Sequence, residues 1–241
     1  MFVNAGLSAA LDRISERAAD VRRAFTPGAL PSHGDVATGA PRQRFALDPM
    51  SVSAPDGAYF IVAGQRETRT FTRDGSFRFA DGHLVTEHGD PVLGRRSPDG
   101  PLEELAIDPV DAALGRAGAI RVESDGSVTY VRTSVDPRTG RRSGGNVTIG
   151  RVALARFPAS TALGYSDDGQ SFSPPSGVVP HVGVPGDAAF GALTPNRREE
   201  SRVDIDRSLA RLKDAYVAFD ALAAAEAAHG RFGKTVMDVV K

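Results

Sequence analysis

Short apolar runs separated by turn pairs fill the stretch from Gly57 to Gly94. Tyr59-Phe60-Ile61-Val62, Arg69 to Arg73, Phe77 to Phe79, Leu84-Val85-Thr86 and Pro91-Val92-Leu93 are divided by Asp74-Gly75, Asp81-Gly82 and His88-Gly89. Asp-Gly between β-branched or aromatic runs predicts a tight hairpin turn. Such a turn needs positive φ, which Gly adopts freely and Asp tolerates. The turn pairs recur about every seven residues. That spacing is too tight for helices and predicts a meander of very short strands.

The β pattern continues beyond it. Leu102 to Ile107 reads as one strand. Ile120, Val122, Val128 and Tyr130 alternate with polar residues on either side of Ser124-Asp125-Gly126-Ser127, which predicts a second hairpin. Val135 to Gly145 is rich in Arg, Gly and Thr and reads as an exposed loop. Val147 to Phe157 reads as a long strand whose phase changes at Gly150, the mark of a bulge. Pro158 to Pro195 is irregular, with short strands expected around Gly177 to Val184. Residues 26–56, rich in Pro, Gly, Ser and Ala, read as a linker, with Phe45 and Leu47 as anchors of a first strand.

The two ends have a different period. Leu7, Leu11, Ile14, Ala18, Val21 and Phe25 are spaced alternately four and three apart, as are Ile205, Leu209, Leu212, Tyr216, Phe219 and Ala223. Each set is an a/d seam with a period near 3.5 residues, as in coiled coils. Thr26-Pro27-Gly28 ends the first helix, and Ser201-Arg202-Val203-Asp204 starts the second with a capping-box pattern. Burying a large apolar side chain is worth about 1.5–3 kcal/mol, which neither helix gains alone. Pairing is therefore expected. The predicted fold class is α+β: N- and C-terminal helices paired as a coiled-coil-like unit, with a central all-β domain of short antiparallel strands. The expected domains are 1–28 with 196–241 as the helix unit, 29–56 as an extended connector, and 57–195 as the β-rich domain.

Composition narrows the functional classes. The net charge of the 241-residue chain is −1, which argues against a dominant nucleic-acid function. The absence of Cys excludes a disulfide scaffold and Cys-based metal sites. No apolar run approaches the roughly 20 residues of a spanning helix, and Met1 to Ala10 does not read as a cleaved signal. His33, His83, His88, His181 and His229 are scattered, with no helical His pair for zinc. Neither a nucleophile elbow nor a phosphate-binding loop is present. No catalytic, cofactor or metal site is expected, and no small-molecule substrate.

Read as G-x-Y-F-x-V, then T-F-T-R-D-G-S-F, then D-G-x-L-V-T and G-x-P-V-L-G, the central stretch resembles the bacterial flagellar rod and hook proteins. The residues that carry the resemblance are Gly57, Tyr59, Phe60, Val62, Thr72, Arg73, Asp74, Gly75, Phe77, Gly82, Leu84, Val85, Pro91 and Gly94. The ends match more weakly. Ile14-Ser15 and Val203-Asp204 fit the family pattern, whereas Glu16, Arg17, Asp20 and Arg202 stand where the family has Asn. The resemblance implies a structural subunit of the basal-body rod, proximal or distal, polymerising through its terminal helices into the axial drive shaft. It implies export without a cleaved signal, a place in the periplasmic rod, and copies of itself and other rod and hook subunits as partners. The rod is preferred to the hook because the length leaves no room for an extra outer β domain. The lost Asn positions motivate an alternative: a divergent paralogue that does not polymerise and serves as a soluble β-rich protein-binding module.

Overall fold

A computed structural model describes residues 2–31, 41–64, 68–135, 138–159, 161–165 and 171–239, with side chains from residue 5 to residue 229 at the two ends. In chain order the elements are α1 (Phe2–Arg23), β1 (Gln43–Phe45), β2 (Val52–Ser53), β3 (Ala58–Ala63), β4 (Arg69–Thr72), β5 (Phe77–Ala80), β6 (His83–Thr86), β7 (Leu93–Arg95) and β8 (Glu103–Glu104). There follow α2 (Pro109–Ala113), β9 (Ala117–Val122), β10 (Ser127–Val135), β11 (Arg142–Val152), β12 (Leu154–Arg156), β13 (Gly164–Tyr165), β14 (Phe172–Ser173), β15 (His181–Gly183), β16 (Thr194–Pro195), β17 (Arg197–Glu199) and α3 (Ile205–Val239). Two compact units result. One comprises Met1–Phe25, Leu30–Ala37 and Arg202–Lys241; the other comprises Thr26–Ala29 and Thr38–Ser201.

The β unit is built on two larger sheets. One has the order β8-β7-β11-β10-β9 and the other β13-β14-β4-β3-β12-β15; three two-stranded pairs, β1–β17, β16–β2 and β5–β6, complete it. All named pairings are antiparallel. One core joins the sheets: Val52, Phe60, Val62, Phe77, Leu84, Val92, Leu105, Val128, Tyr130, Val152 and Leu154 are buried together. Phe60 meets Phe77 edge-on with ring centres 4.9 Å apart, a favoured aromatic geometry.

The turn pairs divide into two physical kinds. Asp81 and Gly82 both have positive φ, 51° and 81°, and join β5 to β6 through a two-residue loop closed by the Ala80–His83 pair. That is the primed hairpin turn expected of Asp-Gly. Asp74-Gly75 is different. The strands on its two sides, β4 and β5, lie in separate sheets, so the dipeptide is a crossing and not a hairpin. Gly75 is needed there for space. A Cβ on it would lie 1.8 Å from the carbonyl oxygen of Val52, whose N–H donates to the Gly75 carbonyl at 3.0 Å. The Asp125-Gly126 turn does link β9 to β10, and the extra residue in β11 is Ile149, beside Gly150, where the register against β10 shifts. Within the expected loop Val135 to Gly145, Val135 and Arg142 to Gly145 are strand residues of the β10–β11 ribbon. Phe45 does end the first strand, β1, but it and Leu47 are exposed, at 61 % and 91 %, and neither joins the core. The short helix α2 went unpredicted, although Asp108-Pro109 is a start signal: Asp108 accepts from the N–H groups of Val110 and Asp111, and Pro109 occupies the first turn.

The expected fold class is corrected here. The chain is mostly β, spread over several small sheets, and the terminal helices do not form a coiled-coil unit. α1 and α3 do lie together in the helical unit, but they bury only part of the heptad seam. Leu11, Leu209 and Tyr216 are exposed at 53 %, 47 % and 51 %, and Phe25 at 77 %. Of the seam, only Ile14 is fully buried, beside Ala10 and Ser208, which lie outside it. Between the helices runs an open groove of about 530 Å³, floored by Gly6, Ala9, Ala10, Ala215 and Ala218. Knobs-into-holes packing fills such a space with large a/d side chains; here the facing residues are too small to do so. α3 also runs through Gly230 without a break. Among the described residues no helix is long and apolar enough to cross a membrane.

The steric argument predicts a sharp contrast between two glycines. Gly75→Ala is expected to destabilise the protein by about 3 kcal/mol or more, because the clash is with backbone. Gly145→Ala, which meets nothing within 4 Å, is expected to be neutral or to stabilise by up to about 1 kcal/mol. Urea unfolding of the two variants checks both; equal midpoints would refute the close-approach role.

Candidate functional site

The family-like residues of the β unit converge on Arg73. Its side chain is 2 % exposed. Nε donates to Glu199 Oε2 at 2.9 Å, a terminal nitrogen bonds the same carboxylate, and Nη1 donates to the Ala58 carbonyl at 2.8 Å. The guanidinium carbon stands 5.5 Å from the centre of the Tyr59 ring. Gly28, at φ 67°, lies so close that a Cβ would come within 2.7 Å of the Arg73 backbone, and its N–H donates to the Glu199 carbonyl at 3.0 Å. Arg73 thus holds together four stretches: the segment at Gly28, the start of β3, its own crossing, and β17. Gly28 and Glu199 lie where the chain comes into the β unit and leaves it.

The neighbouring motif residues hold this crossing in shape. The Asp74 N–H donates to Thr72 Oγ1 at 3.0 Å, and the Ser76 N–H and hydroxyl both donate to Asp74 Oδ1. Asp74 is buried, and burial raises its pKa above the usual carboxylate value, against the lowering effect of the Ser76 hydrogen bonds. Phe60, Val62, Phe77, Leu84 and Val85 are core residues. Gly57 supplies a positive φ before β3. Pro91 bridges to Val85. Gly94 allows a close crossing, since a Cβ there would lie 2.3 Å from the Arg151 carbonyl oxygen.

A second polar cluster fixes α2 against β10. The Tyr130 hydroxyl, buried, donates to Asp111, and Arg132 Nε donates to the same carboxyl oxygen. The Tyr130 hydrogen bond holds the Asp111 carboxyl below its usual range, and Arg132 adds to this. Burial pushes the Tyr130 hydroxyl up, reinforced by Asp111. Neither Glu199 nor Asp111 stood out in the sequence. Glu199 sits in the charge run Arg197-Arg198-Glu199-Glu200, which looks like a solvated face.

In the helical unit the twelve seam residues are dispersed. Ile14 is buried; Leu7, Ala18, Val21, Ile205, Leu212, Phe219 and Ala223 are half-buried; Leu11, Phe25, Leu209 and Tyr216 are exposed. Asp20, one of the residues standing in place of Asn, is buried and accepts from Arg23 at 2.9 Å and Arg17 at 3.5 Å. Its charge is therefore matched by arginines three residues away on either side, within its own helix.

Residues 56–130 match the family model of the flagellar hook protein FlgE/F/G D1 domain. That segment is similar to a flagellar hook-type D1 domain. The matched segment runs from just before β3 to within β10, so it takes in the Arg73 crossing, both Asp-Gly turns and α2, in less than half the chain. No curated protein matches. The motif residues of this segment are mostly buried, and among the described residues their task is to carry the chain between sheets.

Removing one partner of the buried pair, by Arg73→Met or Glu199→Gln, is expected to cost about 3–5 kcal/mol, and the double variant less than the sum. A double-mutant cycle in urea measures this; additive losses would refute the clamp. The two carboxyls are expected to respond to acid in opposite directions. Asp111, with a depressed pKa, stabilises the fold above the unfolded value of about 3.9 and loses that contribution as pH falls through its lower folded value. Asp74, with a raised pKa, opposes folding when ionised, so its burden lifts as pH falls from the raised value towards about 3.9. Thermal scans should therefore show Asp111→Asn less stable than wild type at pH 7, converging with it in acid. Asp74→Asn should be as stable or more stable at pH 7, with that advantage vanishing in acid.

Proposed function

We infer that the chain is a structural subunit of the flagellar rod that polymerises through its terminal helices, with no catalytic role and no cofactor. The observation that carries this reading is the D1 match over residues 56–130, centred on a crossing whose every motif residue has a structural task. The exposure of Leu11, Leu209, Tyr216, Val217 and Leu222 on the two terminal helices supports the assembly part. A helical unit with several large apolar side chains in water gains from contact with further subunits. The helical unit, Met1–Phe25, Leu30–Ala37 and Arg202–Lys241, serves assembly, and Thr26–Ala29 with Thr38–Ser201 forms the β-rich part. Partners are copies of the chain and other rod and hook subunits, in the periplasmic section of the flagellum.

The reading predicts that purified hook–basal bodies from the source organism contain this protein in amounts comparable to other rod subunits, by quantitative mass spectrometry. Leu209→Asp with Tyr216→Asp, both at exposed positions, should lower its incorporation about tenfold or more while leaving the β unit folded. Wild-type incorporation of a chain lacking residues 2–23 would overturn it.

A further inference from the structure

The two-stranded β1–β17 pair has an edge that the rest of the β unit leaves open. Among the described residues β1 (Gln43–Phe45) has a strand on one side only, and all its side chains are exposed. Its register against β17 is Gln43–Glu199, Arg44–Arg198 and Phe45–Arg197. The Ala46 N–H donates to the Asn196 carbonyl at 2.9 Å, and the Glu200 N–H donates to the Arg42 carbonyl at 2.9 Å. In an antiparallel pair, residues that exchange hydrogen bonds with the partner alternate with residues that do not. Arg42, Arg44 and Ala46 therefore turn their backbone groups to β17, and Gln43 and Phe45 turn theirs away. The N–H and carbonyl groups of Gln43 and Phe45 line the free edge. Such an edge is a template for another chain.

The side chains along this edge sort by face. Arg42 and Arg44 share one face, with Glu200 and Arg198 opposite them. Arg44 against Arg198 is a like-charge pair, which is unfavourable at that spacing. Arg198 is half-buried and its charge acts on Asp74. Arg42 and Arg44 are exposed, and no ion pair among the described residues takes up either one. Phe45 stands on the other face, and Leu47 follows it, both exposed. Arginine and aromatic side chains are enriched at the contact surfaces of proteins.

We propose that β1 receives an extended segment of a different protein as a third strand, in which carboxylates alternate with aliphatic side chains. Strand addition draws affinity from main-chain bonds and specificity from alternate side chains. The period of two sets the pattern. Residues of the segment beside Arg42 and Arg44 are acidic, and those beside Gln43 and Phe45 are aliphatic. Charge complementarity selects this occupant, because a basic segment is repelled from the same edge. The chain's own Asp204-Ile205-Asp206 has the alternation, but Asp204 accepts from the Arg207 N–H and Asp206 lies in the first turn of α3. That stretch of a second copy is therefore not presented as a strand. The contact is separate from the helix-mediated assembly proposed above.

The full-length, isotope-labelled protein tests this with the peptides Val-Glu-Val-Glu-Val, Glu-Glu-Val-Val-Val and Val-Lys-Val-Lys-Val. At saturation the alternating acidic peptide should slow hydrogen exchange at the Gln43 and Phe45 amides and leave Arg44, already bonded to β17, unchanged. It should bind about fivefold or more tighter than the rearranged acidic peptide, and the lysine peptide should not bind. Arg42→Glu/Arg44→Glu, at exposed positions, should reverse the preference in favour of the lysine peptide. Phe45→Pro removes an outward N–H that the β17 ladder does not use, so it should weaken binding with little change in the thermal midpoint. Equal binding of the two acidic peptides would reduce the edge to a general attraction for charge and overturn the proposal, as would no binding at all. If Arg42→Ala/Arg44→Ala makes the protein aggregate, the arginines only guard an open edge and the proposal fails. These readouts use purified protein and peptide, so they can fail while incorporation into basal bodies still depends on the helices.

Discussion

The β unit depends on one buried ion pair. Arg73 and Glu199 are 126 residues apart in sequence, and nothing in the local pattern of either requires the other. Once both are withdrawn from water, each becomes costly to leave alone. The guanidinium divides its donors between the Glu199 carboxylate and the Ala58 carbonyl, so that β3, the crossing and β17 are fixed by one side chain. Gly28 closes the arrangement from the other side, by an N–H to the Glu199 carbonyl. The segments where the chain comes into the unit and leaves it are thereby held together, and the β1–β17 pairing, Gln43 opposite Glu199, continues the same junction.

How far this was legible in the sequence depends on the range of the forces involved. The Asp81-Gly82 turn is local: positive φ at both positions follows from residue type, and the expected hairpin formed. Asp74-Gly75 is the same dipeptide, yet its glycine serves a contact with Val52, 23 positions away. Dipeptide chemistry cannot distinguish the two, because what separates them is tertiary. Glu199 was hidden for the same reason, inside a run of charges. α2 was a local feature and legible through Asp108-Pro109, but its few residues carry no periodicity to draw attention.

The helices show a subtler limit of periodicity. The alternation of four and three correctly marks α1 and α3 as helices with apolar stripes. It does not say which part of a stripe meets the other helix. Small side chains at Ala10, Ala215 and Ala218 allow a shallow, unfilled contact, whereas Leu11, Leu209 and Tyr216 turn outward. A stripe wider than one seam has more apolar surface than one partner can cover. Likewise, Asp20 in place of an expected Asn looked like a loss of function at a contact surface, but its carboxylate is buried between Arg17 and Arg23. The substitution is accommodated within the helix that carries it.

The core of the β unit and the exposed apolar surface of the helices therefore draw on different residues. The motif that carries the D1 match consists of core apolars, close-approach glycines and a buried ion pair, all of which act inside the subunit. Selection on such residues preserves an architecture and leaves the surface free to vary. The outward apolar residues of α1 and α3 lie outside the matched segment. The residues that make this fold and the apolar residues its terminal helices leave exposed are thus separate sets of side chains.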